Sequence, residues 1–136
     1  MRILITNDDG LHASQLVPLV KGAQKLGEVV TVVPKYEQSG KSHGIEIHKA
    51  FEVTTVELAP GITAIAVDST PADCVRYAIL GMHEQFDLVI SGINRGLNIG
   101  RDIMYSGTVG AVLEASNLGV QAIAFSTEPK NYDRAT

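Results

Sequence analysis

The sequence contains a single cysteine, Cys74. A lone thiol excludes an internal disulfide and fits a reducing compartment. No apolar run approaches the roughly 20 residues that span a bilayer. The amino terminus lacks an apolar leader, because Leu4-Ile5 runs straight into Thr6-Asn7-Asp8. A cytoplasmic, membrane-free protein is expected. Basic residues are not in excess: 11 Lys and Arg stand against 15 Asp and Glu, for a net charge of −4. With no basic stripe and no interleaved aromatics, a dedicated nucleic-acid surface is excluded. There is no His and Cys cluster of the kind zinc takes, no internal repeat and no low-complexity tract. What is present is a 136-residue chain, 45% apolar, enough for the core of one ordinary domain.

Taken in order, the apolar runs alternate with helical patterns. Arg2–Thr6 reads as a strand apolar on both faces, as in a parallel sheet covered by helices. Leu16, Leu19, Val20, Ala23 and Leu26 mark a helix stopped by Gly27, with Pro18 tolerated in its first turn. Residues 29–33 form a second strand ended by Pro34. Residues 45–57 alternate weakly and predict a small peripheral hairpin, Pro60-Gly61 a turn, and Ile62–Val67 another buried strand. Thr70-Pro71-Ala72-Asp73 opens a helix, with Thr70 as N-cap, Pro71 at the first helical position and Asp73 at the favourable end of the dipole. Its apolar face is Val75, Ala78, Ile79 and Met82. A strand at 88–90, a last helix ended by Gly119 and a strand at 121–126 complete the chain. Alternating strands and helices predict an α/β fold, a Rossmann-like three-layer sandwich with a mostly parallel sheet. Ligands in such sheets lie beyond the carboxyl ends of the strands. The polar punctuation falls there: Asn7 to Asp9, Ser39, Asp68 to Thr70, and Ser91 to Asn94.

Residues 88–118 organise the rest. A short strand ends in Ser91-Gly92, and a polar loop follows with glycines at 92, 96 and 100 and amides at Asn94 and Asn98. The loop closes on Ser106-Gly107-Thr108, where Ser106 is well placed as an N-cap and Val109, Val112, Leu113 and Ser116 continue as a helix. A helix start offers unpaired N–H groups and a partial positive charge, which suits a phosphate. The alternative is a capped helix start and nothing more.

Asp8-Asp9 is the sharpest chemical pair. Neighbours on a strand point to opposite faces, so both can aim at one centre only where the chain leaves strand geometry, which Gly10 permits. Two close carboxylates repel unless a cation neutralises them. Oxygen ligands suit Mg²⁺, Mn²⁺ or Ca²⁺. The competing reading is an ordinary Asx turn after a strand. Ser39 and Asn94, neutral oxygen ligands on the same predicted edge, favour the metal.

Other features carry less. Gly40-Lys41-Ser42 resembles the end of a P-loop, but Lys35 stands where that motif needs glycine. Gly92, Gly96 and Gly100 have the spacing of a membrane-helix motif, which Asn94, Arg95 and Asn98 forbid. Nor do they make the dinucleotide pattern, so a redox Rossmann domain is disfavoured. Cys74 reads as a small core residue. His12 and His43 lie near the expected site edge, whereas His48 and His83 read as surface. Lys41, Arg95 and Arg101 are candidates to steer an anion.

The motifs Thr6-Asn7-Asp8-Asp9-Gly10-Leu11-His12-Ala13, Gln38-Ser39-Gly40, Thr70-Pro71-Ala72-Asp73-Cys74-Val75, Ser91-Gly92-Ile93-Asn94-Arg95-Gly96-Leu97-Asn98-Ile99-Gly100 and Tyr105-Ser106-Gly107-Thr108-Val109 resemble those of the SurE family of stationary-phase survival proteins. They occur in the family's order and cover nearly the whole chain. The resemblance implies a Rossmann-like core and a 5′-nucleotidase that uses one divalent ion, Mg²⁺ or Mn²⁺, on nucleoside monophosphates. It implies that Asp8, Asp9, Ser39 and Asn94 hold the metal, with Asp8, Asp9 and Asn94 catalytic, and that Ser106, Gly107 and Thr108 seat the phosphate. Ala13-Ser14-Gln15 departs from the family's usual Pro-Gly after His-Ala. Family members are also longer, with a C-terminal arm used in dimer or tetramer formation. Residues 1–136 therefore read as a single SurE-like core domain lacking that part.

The expected reaction is phosphomonoester hydrolysis. Water, or less favourably the Asp8 carboxylate, attacks phosphorus, with the Ser106 and Thr108 hydroxyls and helix N–H groups taking up charge. No residue stands out as the acid for the leaving nucleoside; His12 and His43 are the weak candidates. The alternative function is a module that binds a nucleotide or phosphate without turning it over, because the C-terminal part is missing.

Overall fold

The computed structural model describes residues 1–134. Its centre is β1, Arg2–Thr6, in which Ile3, Leu4 and Ile5 are all fully buried. Successive side chains on a strand point to opposite faces. Ile3 and Ile5 accordingly join one apolar cluster and Leu4 the other. The first cluster holds Leu16, Val20 and Ala23 of helix α1, Leu16–Ala23; the second holds Val75 of α2, Pro71–Arg76, and Ala111 and Ala115 of α3, Gly107–Asn117. Helices thus cover both faces of one sheet, which gives the expected three layers.

The sheet has six strands in the order β3-β4-β2-β1-β5-β6, where β2 is Glu28–Pro34, β3 Val53–Ala59, β4 Ile62–Val67, β5 Leu88–Arg95 and β6 Ala122–Thr127. All neighbours are parallel except β3 with β4. With β3 set aside, the parallel strands run 3-2-1-4-5 in chain order. That is the doubly wound order, whose direction reverses between β1 and β5, and ligands bind in the crevice at that reversal. The register pairs Thr6 with Ser91. β1 ends there, so Asn7-Asp8-Asp9 leave the sheet beside Gly92-Ile93-Asn94. β5 itself runs past the end expected at residue 90 to Arg95, because Asn94 and Arg95 go on pairing with Ser126 and Thr127 of β6.

Three expectations need correction. The hairpin does not run over residues 45–57. It is β3 and β4 joined at Pro60-Gly61, and it forms the sheet's antiparallel edge. Residues 45–52 are irregular because their backbone bonds to side chains instead: the Glu46 N–H donates to Asp73, and the His48 and Lys49 N–H groups to Glu46. Helix α1 stops at Ala23, short of Leu26. The following turn tightens to i→i−3 bonds, and Gly27 packs on the Met1 backbone, which steers the chain into β2. Helix α3 turns Ala111 and Ala115 to the core and leaves Leu113 exposed. Its small residues let it lie close to the sheet and to α2, a choice that apolar periodicity does not reveal.

Helix α2 starts as expected. Thr70 adopts an extended backbone and its Oγ1 accepts from the Asp73 N–H at 3.1 Å, with Pro71 next. The same hydroxyl donates to the Gly44 carbonyl at 2.7 Å. Thr70→Val keeps the shape and removes both bonds. It is expected to lower stability by about 1 kcal/mol, seen as a lower urea midpoint at unchanged slope. An unmoved midpoint would show that the cap contributes nothing.

Candidate active site

The turn after β1 is built by Asn7, not by the aspartates. Buried Asn7 donates through Nδ2 to the Gly10 carbonyl and accepts the Gly10 N–H on Oδ1, both at 3.0 Å. Gly10 has φ +87°, in the left-handed region that glycine tolerates, and a Cβ there would lie 3.0 Å from the Tyr36 backbone. The loop after β2 is drawn in by this approach, and the Gln38 N–H donates to the Asp8 carbonyl at 2.7 Å. With Asn7 closing the turn, Asp8 and Asp9 need not serve it. The ordinary Asx-turn reading of the two acids therefore fails.

Asp8 is 3% exposed. Its Oδ1 accepts from the Thr108 hydroxyl at 2.7 Å, a contact spanning 100 residues that joins the end of β1 to the start of α3. Asp9 is half-buried, and its Oδ2 accepts from the Arg95 N–H at 3.2 Å. Burial pushes the Asp8 carboxyl above its ordinary value, although the Thr108 hydroxyl and backbone work against it. Burial likewise raises Asp9, and the negative charge of Asp8 raises it further. Two acids held in this state without a cation are unfavourable as anions. Among the described residues no three His, Cys, Asp or Glu side chains cluster as a metal site. An ion here would rest on two carboxylates completed by neutral oxygens, a donor set for a hard divalent cation.

The remaining candidates are placed as follows. Asn94, at the end of β5, donates through Nδ2 to the Gly96 carbonyl at 2.7 Å, which leaves Oδ1 as the atom it can offer a cation. Ser39 lies on the loop drawn in at Asp8 but is exposed, and its hydroxyl donates to Glu37 Oε1 at 2.7 Å. Ser106 caps α3, its Oγ accepting from the Val109 N–H at 3.2 Å. Ser106, Gly107 and Thr108 are all buried. A Cβ on Gly107 would meet Asp8 at 3.0 Å, Pro71 at 3.2 Å and the Gln38 carbonyl at 3.3 Å. His12 lines a cleft with Val56, Glu57 and Leu58. His43 is engaged by Glu114. Among the described residues neither histidine is hydrogen-bonded to Asp8 or Asp9. A larger apolar cleft of about 430 Å³, lined by Leu19, Leu26, Ile90 and Phe125 among others, carries no acidic side chain.

Two residues escaped the sequence reading. The charge of Glu37 reaches both aspartates and raises both. Tyr132, buried in a 3₁₀ turn at Pro129–Arg134, brings its hydroxyl to 3.5 Å from Asp9 Oδ2, at the limit of hydrogen bonding. Glu37 had a signal, an acid one residue before Gln38-Ser39-Gly40. Tyr132 had none, since only the fold returns that segment to β1.

The raised carboxyl values predict a pH dependence for the metal-free protein. The native state holds these protons more tightly than the unfolded chain, whose carboxyls titrate near 3.8. Stability therefore falls as pH rises from about that value through the raised native ones. Asp9→Asn removes its share of that loss. In EDTA at neutral pH the variant is expected to melt above the natural chain, and saturating Mn²⁺ should reverse the order. A natural chain whose midpoint keeps rising with pH in EDTA would contradict the burial argument.

A profile of the family described as survival protein SurE matches residues 3–136. The chain belongs to the SurE family. It is 48% identical over 130 residues to a 5′-nucleotidase SurE of Geobacter sulfurreducens, which covers 93% of this chain and 47% of the relative. It is 45% identical over 130 residues to a 5′-nucleotidase SurE of Citrifermentans bemidjiense, covering 93% and 50%. Among solved structures, the crystal structure of a SurE protein from Aquifex aeolicus superposes with a TM-score of 0.80 at 36% identity, over 94% of this chain and 51% of that one. The chain spans about half the length of the SurE relatives it matches. No helix among the described residues is long and apolar enough to cross a membrane.

Proposed function

We propose that this chain is the catalytic core of a divalent-metal-dependent phosphomonoesterase that hydrolyses nucleoside 5′-monophosphates to nucleoside and phosphate. The observation that carries the proposal is the Asp8–Thr108 bond. It sets buried Asp8 against the amino end of α3, with half-buried Asp9 next to it in the chain, and each acid is disfavoured as an anion. The names of the SurE relatives supply the substrate class.

In this reading Asp8, Asp9, Ser39 and Asn94 would hold the ion. Magnesium or manganese suits the oxygen donors. A divalent ion bound there supplies polarisation of a phosphoryl oxygen and a lowered pKa for water. The chain's own residues do the rest. Thr108 orients Asp8 through its hydroxyl and backbone. That commitment leaves the Gly107 N–H and the Ser106 hydroxyl proton as the groups that can turn to a phosphate, where the helix dipole favours negative charge. Arg95 fixes Asp9 through its N–H. The Gln38–Ser39 loop shares this corner, so a phosphate seated on α3 has to share it with that loop.

The test is phosphate release from nucleoside 5′-monophosphates with Mn²⁺ or Mg²⁺. Activity is expected to vanish in EDTA and to return on adding the ion. Calorimetry alongside separates the other reading: metal-dependent nucleotide binding without hydrolysis would leave a binding module. Hydrolysis indifferent to chelation would end the metal assignment.

A further inference from the structure

Glu114 is the single acid of α3, its side chain only 5% exposed, and the hydrolytic reading gives it no task. It is held by two basic side chains from different parts of the chain. His43 Nε2 lies 2.5 Å from Glu114 Oε2, and Arg76 Nη1 lies 3.0 Å from Oε1. A buried carboxylate without such partners is strongly disfavoured. Arg76 ends α2, and His43 belongs to the irregular strap that begins at the Gln38–Ser39 loop. One acid therefore ties a loop and two helices together.

The strap has further attachments along the same line. The Ser42 N–H donates to the Tyr105 carbonyl at 3.0 Å, just before the α3 cap. The Gly44 carbonyl accepts from Thr70, and the Glu46 N–H donates to Asp73 Oδ2 at 2.8 Å. Gly110 faces the strap from α3. A Cβ there would fall onto the Ser42 carbonyl, so only glycine lets the strap backbone lie on the helix. These contacts place the strap across the first turns of α3, directly downstream of Ser39 and beside Ser106–Thr108.

We propose that Glu114 is a positioning residue: by gripping His43, with Arg76 balancing its charge, it clamps the strap on α3 and so sets where Ser39 and Gln38 stand over the cation and phosphate corner. The inference rests on the reading of that corner given above. Preorganisation of this kind acts on affinity for the ion and for phosphate, not only on folding.

His43→Ala is the first variant. The histidine side chain is 38% exposed, so its loss removes the grip and leaves little cavity, while Glu114 Oε2 loses that partner. Three results are expected. Trypsin cuts after Lys41 several-fold faster under native conditions. The Kd for Mn²⁺ by calorimetry and the inhibition constant for inorganic phosphate rise by about 10-fold. The thermal midpoint in EDTA falls, because Glu114 keeps only Arg76, so the affinities are measured well below that midpoint, where the variant is folded. His43→Gln, which keeps a side-chain donor, is expected to recover part of both losses. Glu114→Gln is the second variant: it keeps the shape, lets the grip weaken and should move the same readouts in the same direction. Unchanged trypsin rates in both variants would overturn the clamp. Faster cleavage with unchanged manganese and phosphate affinity would overturn its role in the site. If the natural chain binds no manganese, the reading of the corner falls instead, and the clamp is judged on cleavage rate and phosphate inhibition alone.

Discussion

Asp8→Asn is expected to lower manganese-dependent phosphate release at least about 100-fold, since residues that merely orient metal ligands already contribute 10- to 100-fold. The substitution is close to isosteric. The asparagine Oδ1 can still accept from the Thr108 hydroxyl, so the tie between β1 and α3 survives. What disappears is one of two negative charges at a corner where a divalent ion would otherwise balance both. The variant should fold: Asp8 is buried and raised, so a neutral amide removes a desolvation cost from the metal-free protein. Its thermal midpoint in EDTA should therefore equal or exceed that of the natural chain, while the manganese-induced gain shrinks. Loss of activity with a raised midpoint separates a chemical role from a folding one. Full turnover by a folded Asp8→Asn protein would sink the proposed chemistry.

Gly107→Val is expected to have the next largest effect. Even a methyl at this position lies within 3.0 to 3.3 Å of Asp8, Pro71 and the Gln38 carbonyl, from three separate segments. Valine adds two further carbons to a place with room for none. Either Asp8 or the Gln38 loop must give way, and both belong to the candidate site. Displacements near 1 Å can cost about 10²-fold in rate, and overpacking lowers stability by about 1–3 kcal/mol. The decisive measurement is competitive inhibition by inorganic phosphate, which should weaken in parallel with kcat/KM. Gly107→Ala should fall between the two. Inhibition by phosphate at natural strength in a folded Gly107→Val protein would remove phosphate from this end of α3.

Much of the architecture was legible because its signals are local. A five-residue strand apolar on both faces has to lie inside a sheet covered on both sides, and Ile3, Leu4 and Ile5 do. Thr70-Pro71 and Ser106-Gly107 mark helix starts because their side chains bond to backbone three residues on, and both caps are observed. The errors have two sources. Residues 45–52 alternate like a strand, yet Asp73 and Glu46 take their N–H groups. The helical pattern at Val109, Val112 and Leu113 marks α3, but the residues that reach the core are Ala111 and Ala115, because close packing rewards them over the larger Leu113. Asp73 and the packing of α3 are distant in sequence, whereas Glu46 competes for N–H groups within its own segment.

The candidate site divides the same way. Residue types and spacing alone singled out Asp8-Asp9, Ser39, Asn94 and the Ser106 helix start, because acids beside a glycine and hydroxyls at a cap have a restricted chemistry. The sequence also carried the family motifs in their order. Only the tertiary structure could show that Asn7 relieves the aspartates of turn duty, that Thr108 is committed to Asp8, that Tyr132 returns to Asp9 and that Glu114 grips His43. Those contacts join residues up to 123 positions apart. Strand order and register place them, and hydrogen bonds act only over about 3 Å, so no reading along the chain can tell which of its polar groups will meet.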